Sequence, residues 1–155
     1  MATIKFSNAF LYNIYDSTTS GLRTSNWWFG VYKGTIPSSS ELSTGTRAYN
    51  FRTSDILIPW DGRPASNYAS YSNGLLTFNP TGPISIQTAT ASGTASWFFY
   101  MGGTVSVYSM DECSVVAGTI SGPGGGGDLI IGDVNVVSGK SYILQNFVMA
   151  FPLTF

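Results

Sequence analysis

Residues 95–108 read ASWFFYM-GG-TVSVY, and the fold is decided there. Two apolar runs rich in aromatic and β-branched residues flank Gly102 and Gly103. Short runs of this composition, bounded by turn residues, read as strands. A Gly-Gly pair between them predicts a tight hairpin, because its turn needs positive φ and glycine adopts that without a Cβ penalty. The same pattern recurs on both sides. Residues 26–33 (NWWFGVYK) predict a second aromatic strand, with Gly30 as a bulge or a point of close approach. Residues 51–58 (FRTSDILI) predict a third, 75–78 a short one, and 84–90 (ISIQTAT) alternate apolar with small polar residues.

Nearer the start, Ile4 and Phe6 alternate with Lys5 and Ser7, and Phe10, Tyr12 and Ile14 continue the period of two. Residues 113–120, 129–131, 134–137 and 142–151 bring the total to about ten strands. Turn clusters at 16–21 and 79–83 punctuate them. Many short strands with Gly/Pro turns predict an all-β fold. The expected form is a β-sandwich, jelly-roll or Ig-like, of about ten short antiparallel strands in one domain spanning 1–155. Ser38 and Glu41 have capping-box spacing, but in so serine-rich a segment this reads as chance placement rather than a helix. The glycines of 122–127 read as a flexible surface loop between two strands.

Composition narrows the function. Charged residues are 10% of the 155, against about 25% in ordinary soluble proteins. The net charge is −1, there is no histidine, and there is one cysteine. Without histidine there is no Ser-His-Asp triad, Cys-His pair or His-ligated metal. One cysteine makes no intrachain disulfide. A charge near zero argues against nucleic acid as the main partner. The longest apolar runs, about five residues, are too short to span a bilayer. The opening MATIK carries no apolar signal core, which predicts synthesis in the cytoplasm.

The few charges are unevenly placed. Residues 64–110 are 47 consecutive positions without Asp, Glu, Lys or Arg. Residues 1–65 carry six basic and four acidic groups; residues 66–155 carry one and four. A monomer's surface is ordinarily about 25–35% charged. A chain this poor in charge either covers its surface with Ser, Thr and Asn groups, as a secreted β-protein with a neutral polar surface would, or buries much of it against other subunits, since obligate interfaces are apolar and aromatic; burial against subunits is the favoured expectation. A homo-oligomer, possibly a trimer, is the expectation.

Candidate sites follow from residue chemistry. Gly139-Lys140-Ser141 matches the end of a phosphate loop, but Val134 stands where the earlier glycine is required, so a β-turn is expected. Asp55 and Asp61 are a conceivable glycosidase pair. Asp111, Glu112, Asp128 and Asp133 could gather around calcium through oxygen ligands, without EF-hand spacing; solvated turn carboxylates are the expectation for all of these. No catalytic residue, metal or cofactor is assigned. Trp27 and Trp28 face opposite ways on a strand, so one is exposed or covered by a partner chain. With Phe151 and Phe155 of the apolar C-terminal segment they are subunit-contact candidates. Trp60, Asp61, Tyr68 and Tyr71 are glycan-contact candidates, since aromatic rings beside carboxylates make sugar platforms. Trp97 reads as core. Cys113 reads as a buried small hydrophobe.

The second half resembles a pattern found in small virion structural proteins of tailed bacteriophages. The residues that carry it are ASGTASWF (91–98), VAGTISG (116–122), GGDLII (126–131) and VSGKSYIL (137–144), with GTIP (34–37) earlier. The likeness covers roughly residues 84–152. Phe99 stands where that family often has arginine, and the 123–127 loop is richer in glycine. The resemblance implies a non-enzymatic component of the virion, either a head decoration (cement) protein or a tail-associated one. Its partners would be copies of itself and other virion proteins such as the major capsid protein. A tail or fibre module that binds a host receptor or surface glycan is the alternative.

Overall fold

The computed structural model describes residues 5–6, 26–43, 50–62, 69–72, 75–78, 86–103, 114–144 and 147–150. In chain order its strands are β1 (Lys5–Phe6), β2 (Asn26–Tyr32), β3 (Ile56–Gly62), β4 (Ala69–Ser72), β5 (Leu75–Phe78), β6 (Ile86–Thr88) and β7 (Gly93–Thr94). They continue with β8 (Trp97–Gly103), β9 (Ser114–Ser121), β10 (Leu129–Ile130), β11 (Asn135–Val136), β12 (Ser141–Ile143) and β13 (Phe147–Ala150). Among the described residues helix is limited to short 3-10 turns, such as Glu41–Ser43.

The largest sheet runs β1-β9-β8-β2-β3, with β10 added on β9. The two aromatic strands lie side by side at its centre, Phe29 opposite Tyr100 and Val31 opposite Phe98. Alternation along the strands gives the sheet two faces. Phe29, Val31, Ile58, Trp60, Phe98, Tyr100 and Val116 share one core. Tyr32, Trp97, Phe99, Met101, Val115 and Ala117 share the other. A sheet covered on both sides needs no polar face, which is why its strands are continuous apolar runs. Pro59 is tolerated in β3 because that strand is an edge, paired with β2 alone among the described residues.

Smaller sheets complete the molecule: β4-β5-β13, β6-β12 and β7-β11. Ala89, Ala95, Val136 and Leu144, from the two ribbons and their flanks, pack on the first face of the large sheet. Leu42, Phe51, Ile36 and Ile56 pack on the second. The described chain is thus mostly β-strand with almost no helix, arranged in mixed sheets.

Several expectations are corrected. Gly102 and Gly103 are not the hairpin turn: Gly102 pairs with Trp27 and Ser114, and Gly103 with Asn26. Both glycines are the last residues of β8, and ladder pairing on both sides of Gly102 and on one side of Gly103 outweighs glycine's preference for turns. The connection between β8 and β9 falls in residues 104–113, outside the described residues. The third strand begins five residues late. Residues 51–55 form a turn, closed by the Asp55 N–H donating to the Arg52 carbonyl, with Arg52 at φ +45°. The sheets are not wholly antiparallel, since β10 runs parallel to β9.

The capping-box spacing is no accident either. The Ser38 N–H donates to Glu41 Oε2 at 2.8 Å, and the Glu41 N–H to Ser38 Oγ at 3.3 Å. It starts a single 3-10 turn that buries Leu42. Finally, the glycine-rich loop is hydrogen-bonded. The Gly125 N–H reaches the Gly122 carbonyl, and the Gly127 N–H reaches Ser121 Oγ. Asp128 Oδ2 then accepts from the Thr119 N–H at 2.8 Å and its hydroxyl at 2.7 Å. These bonds turn the chain back and set Leu129 beside Ile120.

Candidate functional site

A hollow of about 370 Å³ opens on the first face of the large sheet. Its floor follows from register. Phe29 lies opposite Trp60 and Val31 opposite Ile58 on β2 and β3. The Phe29 and Trp60 rings meet edge-on, centroids 5.6 Å apart, and Phe29 stacks on Phe98 at 5.8 Å. The walls come from residues 129–133 and 142–144, with Val136. Two local devices hold those walls. The Ile131 N–H donates to the Ser121 carbonyl, extending the β10 attachment. The Tyr142 hydroxyl accepts the Val137 N–H at 2.9 Å, pinning its ring across the turn.

The mouth is unusual for a surface. Ile130 is 49% exposed and Ile143 64%, and both line the hollow. Ile86, 48% exposed, is the ladder partner of Ile143. One carboxylate belongs to the lining, that of Asp133, and its Oδ1 accepts the Asn135 N–H at 2.8 Å. Such a hollow lies within the size range of ligand pockets, about 300–1,000 Å³. Its chemistry is that of apolar burial: an aromatic floor and aliphatic walls hold an apolar group by desolvation and dispersion.

The opposite face is filled. Tyr32 stacks on Trp97 with centroids 4.2 Å apart, and Phe99 and Phe51 meet this pair edge-on. A Cβ on Gly30 would run into the Tyr32 ring, so glycine is what lets that ring lie across the strand. The Trp97 indole N–H donates to the Lys33 carbonyl at 3.0 Å. Arg52 closes the stack, its guanidinium 5.7 Å from the Trp97 ring centroid and 5.9 Å from that of Phe51. It also donates to the Thr35 carbonyl and to Glu41 Oε1, both at 2.6 Å. The Ser38 backbone N–H, then Arg52 and the Ser38 hydroxyl, hold the Glu41 carboxyl down to about 2. Burial pushes the Tyr32 hydroxyl up to about 12, with the Trp28 indole acting in the opposite direction. Burial also raises Tyr100 above the usual range.

The sequence candidates distribute as follows. Trp60 is 3% exposed and forms the floor of the hollow, so it is no exposed sugar platform. The edge-on contact with Phe29 and the β3 register account for its burial. Trp28 is half-buried against the second core. Trp27 sits at a register position flanked by Gly62 and Gly102. Asp61 and Tyr71 lie in β3 and β4. Asp55 precedes β3 and Asp61 is near its far end. Six residues of strand separate their backbones by roughly 20 Å at about 3.3 Å each. Glycosidase carboxylates stand within about 10 Å. Gly139 is at φ +82° in a turn closed by the Lys140 N–H and the Val137 carbonyl, as the failed phosphate motif implied. Asp128 and Asp133 each bind local backbone N–H groups rather than facing one another. Among the described residues no three acidic, His or Cys side chains gather. Tyr68, Asp111, Glu112, Cys113, Phe151 and Phe155 lie outside the described residues.

Sequence reasoning missed the mouth. Its signal was present in Leu129-Ile130-Ile131: three consecutive apolar residues cannot all face inward from an extended chain. Comparison with protein-family models, with curated proteins and with solved structures gives no match.

Proposed function

We propose that this chain is a non-enzymatic structural protein of a bacteriophage virion, a head decoration or other capsid-associated protein, built as a β-sandwich. The observation that carries the reading is the combination at the mouth. Ile130 and Ile143 stand exposed on the lining of an apolar hollow, with Ile86 exposed beside Ile143 on the neighbouring strand, on a chain with 10% charged residues. Exposed apolar patches of this kind mark interaction sites. The two-sided aromatic sheet supplies a rigid frame behind them. The sandwich reading is supported by the β6-β12 and β7-β11 ribbons, whose residues pack on one face of the large sheet. The phage-like motifs fall on the same elements: ASGTASWF leads into β8, VAGTISG lies on β9, and VSGKSYIL spans the turn into β12.

Many identical copies would make modest contacts add through multivalency. The chain's partners are then its own copies and the capsid lattice, and its place is the virion. A glycan-binding tail module is the weaker reading, because Trp60, its strongest ring, is buried. Mass spectrometry of gradient-purified particles from a lysate that expresses the chain tests the proposal. Peptides of this chain at many copies per particle are expected. A chain abundant in the lysate and missing from the particles overturns the reading.

A further inference from the structure

We infer that Pro59 and Asp128 guard the two edges of the large sheet, so that a second copy of this chain cannot lengthen it by adding a strand. The inference goes beyond the structural reading above, since it concerns how copies are kept from joining. A strand at the edge of a sheet presents unpaired N–H and C=O groups, a ready template for another chain. Register fixes which groups those are. The Ser96 N–H donates to the Tyr32 carbonyl, and the Lys33 N–H to the Asp55 carbonyl. Even-numbered residues of β2 therefore bond toward β8 and odd-numbered ones toward β3. Val31 lies opposite Ile58 and Phe29 opposite Trp60, so the β3 residues whose backbone turns outward are Leu57, Pro59 and Asp61. The Leu57 carbonyl is already taken, by the Thr90 N–H at 2.9 Å and the Thr90 hydroxyl at 3.3 Å. Pro59, at the middle of the edge, has no N–H to give. An incoming strand would lose an acceptor at one outward position and a donor at the next.

The other edge is that of β9, and it is closed by different means. The Ile120 N–H donates to the Ser96 carbonyl on the β8 side, so Ala117, Thr119 and Ser121 turn outward. Ala117 pairs with Lys5 of β1. The Ser121 carbonyl takes the Ile131 N–H where β10 attaches. Both of those strands are two residues long, and very short edge strands make poor templates. Thr119 falls between them, and Asp128 fills the gap. Its Oδ2 accepts the Thr119 N–H at 2.8 Å and the Thr119 hydroxyl at 2.7 Å, in the place of a strand's carbonyl. A Cβ on Gly127 would strike the backbone of Ile120 and Ser121, so glycine lets the loop press against this edge.

Incubation of the intact chain with thioflavin T over a range of concentrations tests this, with far-UV circular dichroism to show that each variant is folded. The wild type should form no thioflavin-positive material. Pro59→Val restores an N–H and raises strand propensity. It should lower the concentration at which thioflavin-positive assemblies appear at least tenfold. Asp128→Ala bares the Thr119 N–H and should act in the same direction. Asp128→Asn keeps an oxygen that can accept that N–H and should behave as wild type does. Leu42→Ala weakens the second core without touching either edge, so it separates an opened edge from general unfolding. Thioflavin-positive assembly of the folded wild type overturns the inference. So does a Pro59→Val chain that assembles no more readily than wild type, and so does a Leu42→Ala chain that assembles as readily as Pro59→Val. An inert Asp128→Ala chain overturns the guard at β9. Asp128→Asn that assembles as Asp128→Ala does would trace the effect to charge, and overturns the bond to Thr119 as the guard. Discrete wild-type oligomers that leave thioflavin dark support the inference, since they join through side chains. Abundance in particles is measured separately, so the virion reading and this one can each fail alone.

Discussion

The two faces of the large sheet are built from the same strands and differ in what covers them. On one face Tyr32, Trp97, Phe99 and Phe51 stack in contact, and Arg52 closes the pile with bonds to Thr35 and Glu41. On the other, Phe29, Trp60 and Phe98 also meet ring to ring, but strands of two or three residues and their turns roof them and leave a hollow. Alternation makes the pair inseparable, since each central strand contributes to both. The filled face therefore supplies the rigidity that lets the hollow face stay open. An apolar cavity inside one protein costs stability, roughly 24 cal/mol per Å³ in core truncations. A hollow this large is tolerable only where the rest of the sheet holds without it.

The sharpest way to break the comparison is to remove one tryptophan from each face. Trp97 is fully buried, stacked and hydrogen-bonded, so Trp97→Ala should cost about 3–5 kcal/mol, the upper range for aromatic truncation. Trp60 borders space that is already empty, and Trp60→Ala should cost visibly less. Urea unfolding of both variants decides; equal losses would mean the faces are packed alike. Gly30→Ala is the next largest. Its methyl would collide with a Tyr32 ring that Trp97 prevents from moving, at a cost of about 1–3 kcal/mol. A wild-type urea midpoint for this variant would mean that the stacked face has slack.

Adding one methylene sharpens the contrast from the other direction. Val115 is fully buried on the stacked face, and Val115→Ile should destabilise by about 1–3 kcal/mol through overpacking. Val136 lines the hollow, and Val136→Ile should be neutral or stabilise by up to about 1 kcal/mol by filling space. The signs, read from thermal melts, carry the result. Loss of stability in Val136→Ile would show that the hollow cannot accept even a methyl group.

Much of this was legible in the sequence because aromatic runs such as NWWFGVY and WFFYM have one outcome in a sheet covered on both sides. Strand content, the Gly139 turn and the burial of Trp97 all follow from local pattern. What failed were choices between local and long-range demands. Gly102 and Gly103 have the chemistry of a turn, yet β2, distant in sequence, pairs along both, and β9 pairs with Gly102 from the other side. Phe51 and Arg52 look like strand residues, yet the aromatic stack they close lies 45 or more residues away, at Trp97. The parallel return of β10 depends on Asp128 reaching Thr119, a contact that no period encodes. The hollow was hidden for the same reason: its floor comes from β2 and β3, and its walls from residues 129–144.

The smallest expected effect concerns the lid of the stacked face. The Glu41 carboxyl is held from 4.5 down to about 2, so it contributes stability above pH 4.5 that is lost as pH falls through 2. Glutamine at this position keeps the capping bond to Ser38 and gives up the charge. Glu41→Gln should therefore match wild type most closely near pH 2 and fall furthest below it near neutrality, with the gap opening between pH 2 and 4.5. Urea midpoints at intervals across that window measure it. Because the ion pair with Arg52 is partly open to solvent, high salt should shrink the gap, while the bonds from Ser38 preserve part of it. A gap that does not depend on pH would mean that the lid is held by the stacking of Arg52 on Trp97 and Phe51 rather than by the carboxylate. The contrast between the faces would then rest on ring packing alone.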